Sequence, residues 1–341
     1  MILAVGVLLG VFASATVGTA LIRRVALARN LMDVPNERSS HIVPTPRGGG
    51  VAIVLAFTGG LLGAWTLQLV DSRVSMALGG SGLMVAIVGF IDDRTSLPAS
   101  PRLAVHALSA AWALYWLGGM PPLVAFGHSV DLGLIGDGLA LLSLVWLLNL
   151  YNFMDGIDGI AGIECVTVCV GGMIVAILQQ RSDGPLFLPA LLGAAVLGFL
   201  VWNFPPARIF MGDAGSGFLG LMLGVMALDA AHRSPQSLWG WLILLAVFTT
   251  DATITLVRRV LNGAKAHEAH RTHAYQYASR RHLGHRPVVL AVALLNLCWL
   301  LPLSVAVQLA WLDGLTAWII ASAPLLWLAF RYHAGVPLRT H

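Results

Sequence analysis

Charged residues are scarce in this sequence. Only 11% of its 341 residues are Asp, Glu, Lys or Arg, whereas 57% are apolar. A soluble domain of this size carries about a quarter charged residues, and no stretch here is long and polar enough for a separate soluble domain. Cysteine is also rare: Cys165, Cys169 and Cys298 give neither a disulfide framework nor a metal-ligand spacing. The composition therefore excludes a water-soluble or disulfide-stabilised protein.

Long apolar segments make up most of the chain. A helix needs about 20 apolar residues to cross a bilayer, and such runs recur from end to end of the chain. They predict an all-α, polytopic membrane bundle of about eleven transmembrane helices, forming one domain over residues 1–341. The predicted spans are 1–22, 51–70, 74–91, 103–118, 134–151, 160–179, 187–203, 215–231, 238–257, 288–309 and 314–332.

Basic residues are concentrated in alternate connections between these spans. Of the 20 Lys and Arg residues, 17 lie in one set of connections, and the other set holds only Arg73, Arg181 and Arg233. Basic connections stay on the cytoplasmic side of a membrane. This distribution predicts an N-terminus outside and a C-terminus in the cytoplasm.

The first basic connection, at about 23–48, combines phosphate-binding side chains with an irregular backbone. Arg38, His41 and Arg47 are hydrogen-bond donors suited to phosphate. Prolines in this connection prevent a continuous helix, and a glycine triplet at 48–50 opens the next span and permits close approach of a backbone or ligand. A basic loop that contacts anionic lipid headgroups is the alternative.

Two adjacent carboxylates, Asp92 and Asp93, begin the second connection, at about 92–102. An ionised side chain is costly near a membrane, and the two carboxylates repel each other. The pair therefore needs a cation, a shared proton or an arginine. A solvated helix end paired with Arg94 and Arg102 is the alternative.

Four polar residues recur at every third position of the next segment, namely Asn149, Asn152, Asp155 and Asp158. Residues three apart adjoin on a helix, but the stripe rotates along a straight helix and cannot face one point. Gly156 and Gly159 therefore predict that the helix breaks near Asp155, in a connection at about 152–159. Carboxylate and carboxamide oxygens are ligands suited to Mg²⁺.

Two further acids are candidates, one just before a predicted span and one inside another. Asp213 lies in a glycine-bounded turn that closes the connection at about 204–214, and a new span follows at once. The first amides of that span would face an anion, although a plain capping turn is the alternative. Asp251 lies inside a predicted span, which makes it a functional candidate; an ion pair with Arg258 or a hydrogen-bonded packing role is the alternative.

The largest basic connection, at about 258–287, contains His267, His270, Arg271 and His273. The three histidines are three residues apart, which superficially resembles a zinc site. Only Glu268 accompanies them, however, and a basic loop that binds phosphates is favoured.

Together, these segments resemble the polyprenyl-phosphate N-acetylhexosamine-1-phosphate transferase family. The resemblance rests on Asp-x-Pro-Asn-x-Arg-Ser-Ser-His, Pro-Thr-Pro-Arg-Gly-Gly-Gly, Phe-Ile-Asp-Asp, Asn-x-x-Asn-x-x-Asp-Gly-Ile-Asp-Gly and Ile-Phe-Met-Gly-Asp-Ala-Gly-Ser, over roughly residues 30–286. It implies a multi-pass protein of the bacterial inner membrane whose active site faces the cytoplasm. The glycine-triplet loop looks closer to the branch that starts O-antigen and teichoic-acid lipids than to the peptidoglycan branch, whose phospho-muramyl-pentapeptide transferases are the alternative.

The resemblance implies a Mg²⁺-dependent reaction, with Mn²⁺ as a substitute, in which a UDP-N-acetylhexosamine and undecaprenyl phosphate give a lipid diphosphosugar and UMP. Membrane lipids are expected partners, nucleic acid is not, and a homodimer is left open. The implied catalytic residues are Asp92, Asp93, Asp155, Asp158 and His273. The implied substrate-binding residues are Arg38, His41, Arg47, Asn149, Asp158, His270 and Arg271. The implied metal ligands are Asp213 and Asn152.

One departure from the family concerns the last connection. Many members have His-x-His-His there, whereas this chain has His273-Ala-Tyr-Gln276, so the role of the second histidine does not transfer. The sequence also leaves open whether the sugar is N-acetylglucosamine, N-acetylgalactosamine, N-acetylfucosamine or N-acetylquinovosamine.

The reaction exchanges one diphosphate linkage for another, so the task of the enzyme is positioning and charge neutralisation. Our hypothesis is direct attack by the lipid phosphate on the sugar-bearing phosphorus, with Asp92 accepting the proton of the lipid phosphate. A covalent phospho-aspartyl intermediate is the rival. A secondary transporter or lipid flippase would need polar residues at mid-membrane and symmetry between halves, and an inactive scaffold would not need all of the acidic segments.

Overall fold

The computed structural model describes residues 2–35, 43–178, 184–264, 271–282 and 284–336. Long α-helices form most of this structure, and two short antiparallel strand pairs lie in the connections. Arg38, His41 and His270 lie outside the described residues, so their implied roles stay predictions.

Helices occur at every predicted apolar run. The helices of the first half are α1 (Ile2–Ala28), α2 (Gly50–Thr66), α3 (Ser72–Thr95), α4 (Ala99–Leu117), α5 (Gly133–Met154), α6 (Ile160–Leu178) and α7 (Gly184–Asn203). The helices of the second half are α8 (Asp213–Arg233), α9 (Gln236–Leu244), α10 (Ala246–Leu261), α11 (Ala274–Arg281), α12 (His285–Leu295), α13 (Leu301–Gln308) and α14 (Gly314–Arg331). The paired strands are β1 (Met32–Asp33) with β2 (Thr45–Pro46), and β3 (Leu123–Ala125) with β4 (His128–Val130).

Within the described ranges, eight helices are long and apolar enough to cross a membrane, or nine if the bent pair α9–α10 counts as one span. The chain is therefore a multi-span helical membrane protein, as predicted, but fewer than eleven spans qualify. The difference arises at two helices. α2 has only 17 residues, and Arg102 and His106 lower the mean hydropathy of α4.

The span predicted at 238–257 is not one straight helix. α9 ends at Leu244, α10 begins at Ala246, and the two are bent by 69°. The carboxyl group of Glu164, which is fully buried in α6, lies next to the Phe248 amide in the first turn of α10. An amide freed by a helix break needs such a partner inside a membrane. Glu164 therefore stabilises a break that no glycine or proline marks at residues 244–246.

The next predicted span is likewise interrupted. A π-helical segment, Asn296–Leu300, joins α12 to α13, and Pro302 is the second residue of α13. Proline lacks an amide and crowds the preceding turn, and a single π-turn accommodates such a disturbance. Asn296 is thereby placed against α6, where its Nδ2 donates to Glu164 Oε2 at 2.7 Å and to Thr167 Oγ1 at 2.6 Å.

α8 lies at the centre of the bundle, packed against α2, α3 and α5, and its residues 214–228 are all buried. Small residues permit such close packing between membrane helices. A Cβ on Gly50 of α2 would lie 2.5 Å from the Cα of Gly215, and a Cβ on Gly89 of α3 would lie 2.7 Å from the Cα of Ala214. These glycines bring α2 and α3 into backbone contact with the start of α8.

Two local predictions are confirmed. α5 ends at Met154 with Asp155 as its C-cap, and α6 begins at Ile160, so the helix breaks where the glycines predict. α8 begins at Asp213 itself. The polar segments that the sequence marks therefore lie at helix ends.

Candidate active site

Backbone hydrogen bonds join the glycine triplet of the first connection to the turn before α8. The amides of Gly48 and Gly49 donate to the Phe210 carbonyl at 3.1 and 2.9 Å, and the Phe210 amide donates to the Pro46 carbonyl at 2.8 Å. Arg47 lies inside this ladder. Its position beside the start of α8 is therefore fixed by the backbone.

Arg47 lies between two carboxylates from different helices. Its Nη2 is 2.9 Å from Asp93 Oδ1 near the end of α3 and 2.5 Å from Asp213 Oδ1 at the start of α8. The Asp93 carboxylate also accepts hydrogen bonds from the Asp213 and Ala214 amides at 3.0 and 3.3 Å. Amides at a helix N-terminus have no partner within the helix and stabilise an anion. Arg47, Asp93 and Asp213, together with Asp155, form what we name the acidic cluster.

Gly212 permits the close approach of Asp93 to α8. Its φ is +81°, a conformation that glycine adopts without steric cost. A Cβ at this position would lie 2.7 Å from Asp93 Oδ2. Any side chain at position 212 would therefore displace Asp93 from the amides that bind it.

Asp155 joins the cluster from the break after α5. Although its side chain keeps some contact with solvent, burial raises the pKa of the Asp155 carboxyl well above its usual range. The charge of Arg47 opposes this shift, and the carboxylates of Asp213, Asp93 and Asp158 add to it. Three carboxylates thus face one guanidinium, which leaves the cluster with excess negative charge.

Asp92 has a different principal partner. Its buried carboxylate pairs with Arg102 of α4 and accepts a hydrogen bond from the Leu97 amide at 2.7 Å. It also contacts the side chain of Asp213, which links this ion pair to the acidic cluster. Of the two arginines considered from the sequence, Arg102 and not Arg94 forms the ion pair with Asp92.

His106 belongs to the site although its surroundings in the sequence do not mark it. It is buried in α4, and its side chain lies beside that of Asn149 in α5. Asn149 Nδ2 donates to the Val145 carbonyl at 2.7 Å. The available signal was the spacing of four residues between Arg102 and His106, which places both on one helix face.

The side chain of Asp158 contacts two neighbouring segments of the chain. Its carboxylate accepts a hydrogen bond from the Ala207 amide at 2.9 Å, and its Oδ1 lies 3.1 Å from His285 Nδ1. These contacts tie the segment after α5 to the turn after α7 and to the start of α12. Asn152 lies half-buried in the last turn of α5, next to the same break.

His273 is the N-cap of α11, a short helix that the sequence did not predict. His273 is buried, and its ring stacks on that of Tyr275 with centroids 5.6 Å apart. The Tyr275 hydroxyl donates to the Phe153 carbonyl at 3.0 Å, which holds α11 against the end of α5. Gln276 accepts a hydrogen bond from the His273 amide at 3.3 Å. Tyr275 and Gln276, which stand where many family members have histidines, therefore position α11 here.

Asp251 holds the start of α11. Its carboxylate accepts hydrogen bonds from the Ala274 and Tyr275 amides at 2.9 and 3.0 Å, and it lies 3.4 Å from His273 Nδ1. Arg258, considered above as its ion-pair partner, instead donates to a backbone carbonyl beyond α14. Arg271 precedes α11 and is half-buried, with its carbonyl accepting from a later arginine.

The donor set of the acidic cluster fits Mg²⁺. Among the described residues, no three His, Cys, Asp or Glu side chains are arranged as a metal site by themselves. Mg²⁺, however, usually binds through one or two carboxylates together with substrate phosphates. Asp93 and Asp213 supply two such carboxylates, and they already hold a cationic guanidinium between them.

The fold and this site define a class of protein: a multi-pass membrane protein that gathers carboxylates and arginines at the ends of its helices. Comparison with known proteins narrows this class. Residues 75–231 match the family model described as Glycosyl transferase family 4.

Three relatives support the same assignment. The chain is 31% identical over 316 residues to the decaprenyl-phosphate N-acetylglucosaminephosphotransferase of Mycobacterium leprae, covering 83% of this chain and 77% of the relative. It is 27% identical over 282 residues to the "Probable undecaprenyl-phosphate N-acetylglucosaminyl 1-phosphate transferase" of Bacillus subtilis, covering 82% and 78%. It is 31% identical over 235 residues to the phospho-N-acetylmuramoyl-pentapeptide-transferase of Streptococcus pneumoniae, covering 66% and 70%. The chain therefore belongs to the polyprenyl-phosphate hexosamine-1-phosphate transferase family, which confirms the resemblance seen in its motifs.

Proposed function

We propose that this chain transfers an N-acetylhexosamine 1-phosphate from a UDP-sugar to undecaprenyl phosphate. The reaction releases UMP and forms the lipid diphosphosugar that starts O-antigen or related surface polysaccharide synthesis. The acidic cluster carries this proposal, because its four side chains come from distant segments and meet at the start of the central helix. The names of the mycobacterial and Bacillus relatives specify N-acetylglucosamine, which favours that sugar here.

Asp93 and Asp213 are the residues that would hold Mg²⁺, with Asn152 as a further ligand and Mn²⁺ as a substitute metal. When bound, the ion would neutralise negative charge on the diphosphate. Asp155 borders the same pocket, where burial raises the pKa of its carboxyl and the carboxylates of Asp213, Asp93 and Asp158 add to that shift.

The chain's own residues position two anionic substrates. The lipid phosphate oxygen attacks the sugar-bearing phosphorus, the bond from that phosphorus to the bridging oxygen breaks, and UMP leaves with the bonding electrons. The side chain of Arg47 is 40% exposed, so its guanidinium can bind phosphate oxygens as well as carboxylates. Asp92, whose carboxylate is held in a fixed orientation by Arg102, would accept the proton of the lipid phosphate. His273 and Arg271 would contact the diphosphate or the sugar.

The decisive assay is UMP release by the purified protein with polyprenyl phosphate, Mg²⁺ and a panel of UDP-sugars. Asp213→Asn should lower the rate by about 10²-fold, as expected when one group that stabilises charge is removed. Asp131→Asn is the matched control, because within the described part of the chain the Asp131 carboxylate accepts a hydrogen bond only from the nearby Gly133 amide, in the connection after β4. Mass spectrometry of the lipid product identifies the sugar. Absence of UMP with every donor would overturn the proposal, and labelled sugar phosphate trapped on the protein without acceptor would favour the covalent route.

The peptidoglycan-branch reaction is the second candidate, because the Streptococcus relative is a phospho-N-acetylmuramoyl-pentapeptide-transferase. The muramyl-pentapeptide nucleotide therefore belongs in the donor panel, and its exclusive use would favour that branch. The same assay tests the transporter alternative, which predicts no UMP. Glu164 and Asn296 do place polar groups within membrane helices, but Glu164 caps a broken helix.

We also propose eleven spans in the bacterial inner membrane, with the N-terminus outside and the active site facing the cytoplasm. The concentration of basic residues in alternate connections supports this orientation. It predicts that Ser129→Cys in β4 reacts with a membrane-impermeant thiol reagent on intact cells, whereas Arg281→Cys does not, once the exposed Cys298 has been replaced. The opposite labelling pattern would reverse the orientation.

A further inference from the structure

A cavity of about 340 Å³ lies between α10, α11, α12 and α14. Its volume falls within the range of small-molecule sites, about 300–1,000 Å³. Most of its lining is apolar, including Val247, Val292 and Leu325. Asp251 and Tyr275 also line it, but the contacts described above engage the Asp251 carboxylate and the Tyr275 hydroxyl. The interior therefore suits a hydrocarbon chain.

Polar groups gather at one edge of this cavity. His282, at the end of α11, and Tyr332, at the end of α14, both line it, and His282 Nε2 lies 2.9 Å from the Tyr332 hydroxyl. This contact joins the ends of α11 and α14, two of the helices that line the cavity.

An arginine stands one helical turn beyond a lining residue on each of these helices. Arg281 follows Ala278 on α11, and Arg331 follows Leu328 on α14, in both cases by three residues, so each pair shares a helix face. Both arginines are exposed. We name Arg281, His282, Arg331 and Tyr332 the basic rim.

We propose that this cavity binds an anionic phospholipid of the bilayer, with one acyl chain between α12 and α14 and the phosphate at the basic rim. Two observations carry the proposal. Three of the four helices that line the cavity, α10, α12 and α14, belong to membrane spans, where a hydrocarbon chain is the available filling, and the edge of the cavity carries positive charge next to hydrogen-bond donors. Basic pockets between membrane helices at the cytoplasmic side are sites for anionic lipid headgroups.

The cavity is separate from the acidic cluster. Neither Arg47 nor the three carboxylates of that cluster line it. Tyr275, bonded to the Phe153 carbonyl, forms the wall between the cavity and the end of α5. A lipid phosphate at the basic rim is therefore not placed to react, and the inference does not depend on the proposed transferase activity.

Native mass spectrometry of the detergent-purified full chain tests the assignment, with phosphatidylglycerol, phosphatidylcholine or undecaprenyl phosphate added in turn. We expect the protein to retain one phosphatidylglycerol in preference to phosphatidylcholine. The double substitution Arg281→Ala/Arg331→Ala should weaken this retention at least about tenfold, which corresponds to about 1.4 kcal/mol. The matched control, Arg24→Ala/Arg29→Ala, removes the same charge from exposed arginines at the end of α1 and should leave retention unchanged.

A second variant tests the interior independently of the charge. Ala291 lines the cavity, and Ala291→Trp should abolish retention while the basic rim stays intact; Ala291→Leu serves if the larger residue lowers the lipid-free unfolding midpoint. Equal retention by the wild type and all variants would overturn the proposal. Preferential retention of undecaprenyl phosphate, lost in Ala291→Trp, would also overturn it, because the cavity would then belong to the lipid substrate.

Discussion

The contact between Gly50 and Gly215 sets the spacing between α2, which begins three residues after Arg47, and α8. A Cβ at Gly50 would lie 2.5 Å from the Cα of Gly215, whereas ordinary contact begins at 3.4 Å. Backbone atoms cannot rotate out of the way. Gly50→Ala therefore has to separate α2 from α8 by about 0.9 Å, the difference between these distances. Arg47, three residues earlier, would move with α2 away from Asp213.

This displacement has an expected magnitude for both activity and stability. A misplacement of about 1 Å can lower a reaction rate by about 10²-fold. Overpacking costs about 1–3 kcal/mol, and the helix preference for alanine over glycine offsets about 0.5–1 kcal/mol of that. We therefore expect Gly50→Ala to release UMP about 10²-fold more slowly and to lose up to about 2.5 kcal/mol of stability.

UMP release and thermal unfolding in detergent measure the two effects on the same preparation. Gly63→Ala is the matched control, because it lies in the same helix and a Cβ there would meet no atom within 4 Å. It should keep the wild-type rate and a midpoint at least as high. A Gly50→Ala protein with the wild-type rate and midpoint would refute the idea that backbone contact at α8 sets the site geometry.

Three further predictions follow from the contacts described. Burial raises the pKa of Asp155, so in the absence of metal the stability that the protonated Asp155 contributes is present below about pH 4 and is lost as the pH rises through the raised pKa. Asp155→Asn cannot ionise and should therefore not show this loss of stability. Unfolding midpoints of the two proteins that run parallel across a pH series in chelator would contradict this prediction. Tyr275→Phe removes the hydrogen bond to the Phe153 carbonyl and should lower the free energy of unfolding by about 1 kcal/mol. Proteolysis at α11 should become faster, and an unchanged cleavage rate would argue against the role of Tyr275 in docking α11. Asp251→Ala should cost more, about 2–3 kcal/mol, because two buried amides lose a charged acceptor; a midpoint equal to that of Tyr275→Phe would contradict it.

Much of the fold follows from local patterns in the sequence. The shortage of charge and the length of the apolar runs predict the membrane helices, and Gly156 and Gly159 predict the break at Asp155. The bend between α9 and α10 was not predictable in this way. It is stabilised by Glu164, a residue far away in sequence whose carboxyl group lies next to the freed Phe248 amide, and the apolar run across the bend contains no local signal.

The composition of the site was more predictable than its pairings. Asp93, Asp155, Asp213 and Arg47 all stand in segments that the sequence marks, because charged residues at span ends are conspicuous in an apolar chain. The partner of each acid depends instead on the rotation of the last turn of α3. This rotation places Asp93 next to Arg47 and places Asp92 next to Arg102. Hydrophobic patterns do not specify that rotation.

The bonds from Gly48 and Gly49 to Phe210 also set the order in which the protein can mature. During synthesis the first connection leaves the ribosome long before the turn that pairs with it, so Arg47 has no fixed place while α3 to α7 enter the membrane. The pocket can form only once the chain as far as Asp213 has been made and α8 has inserted among its neighbours. A protein truncated before α8 would thus insert α1 to α7 into the bilayer and still lack the acidic cluster.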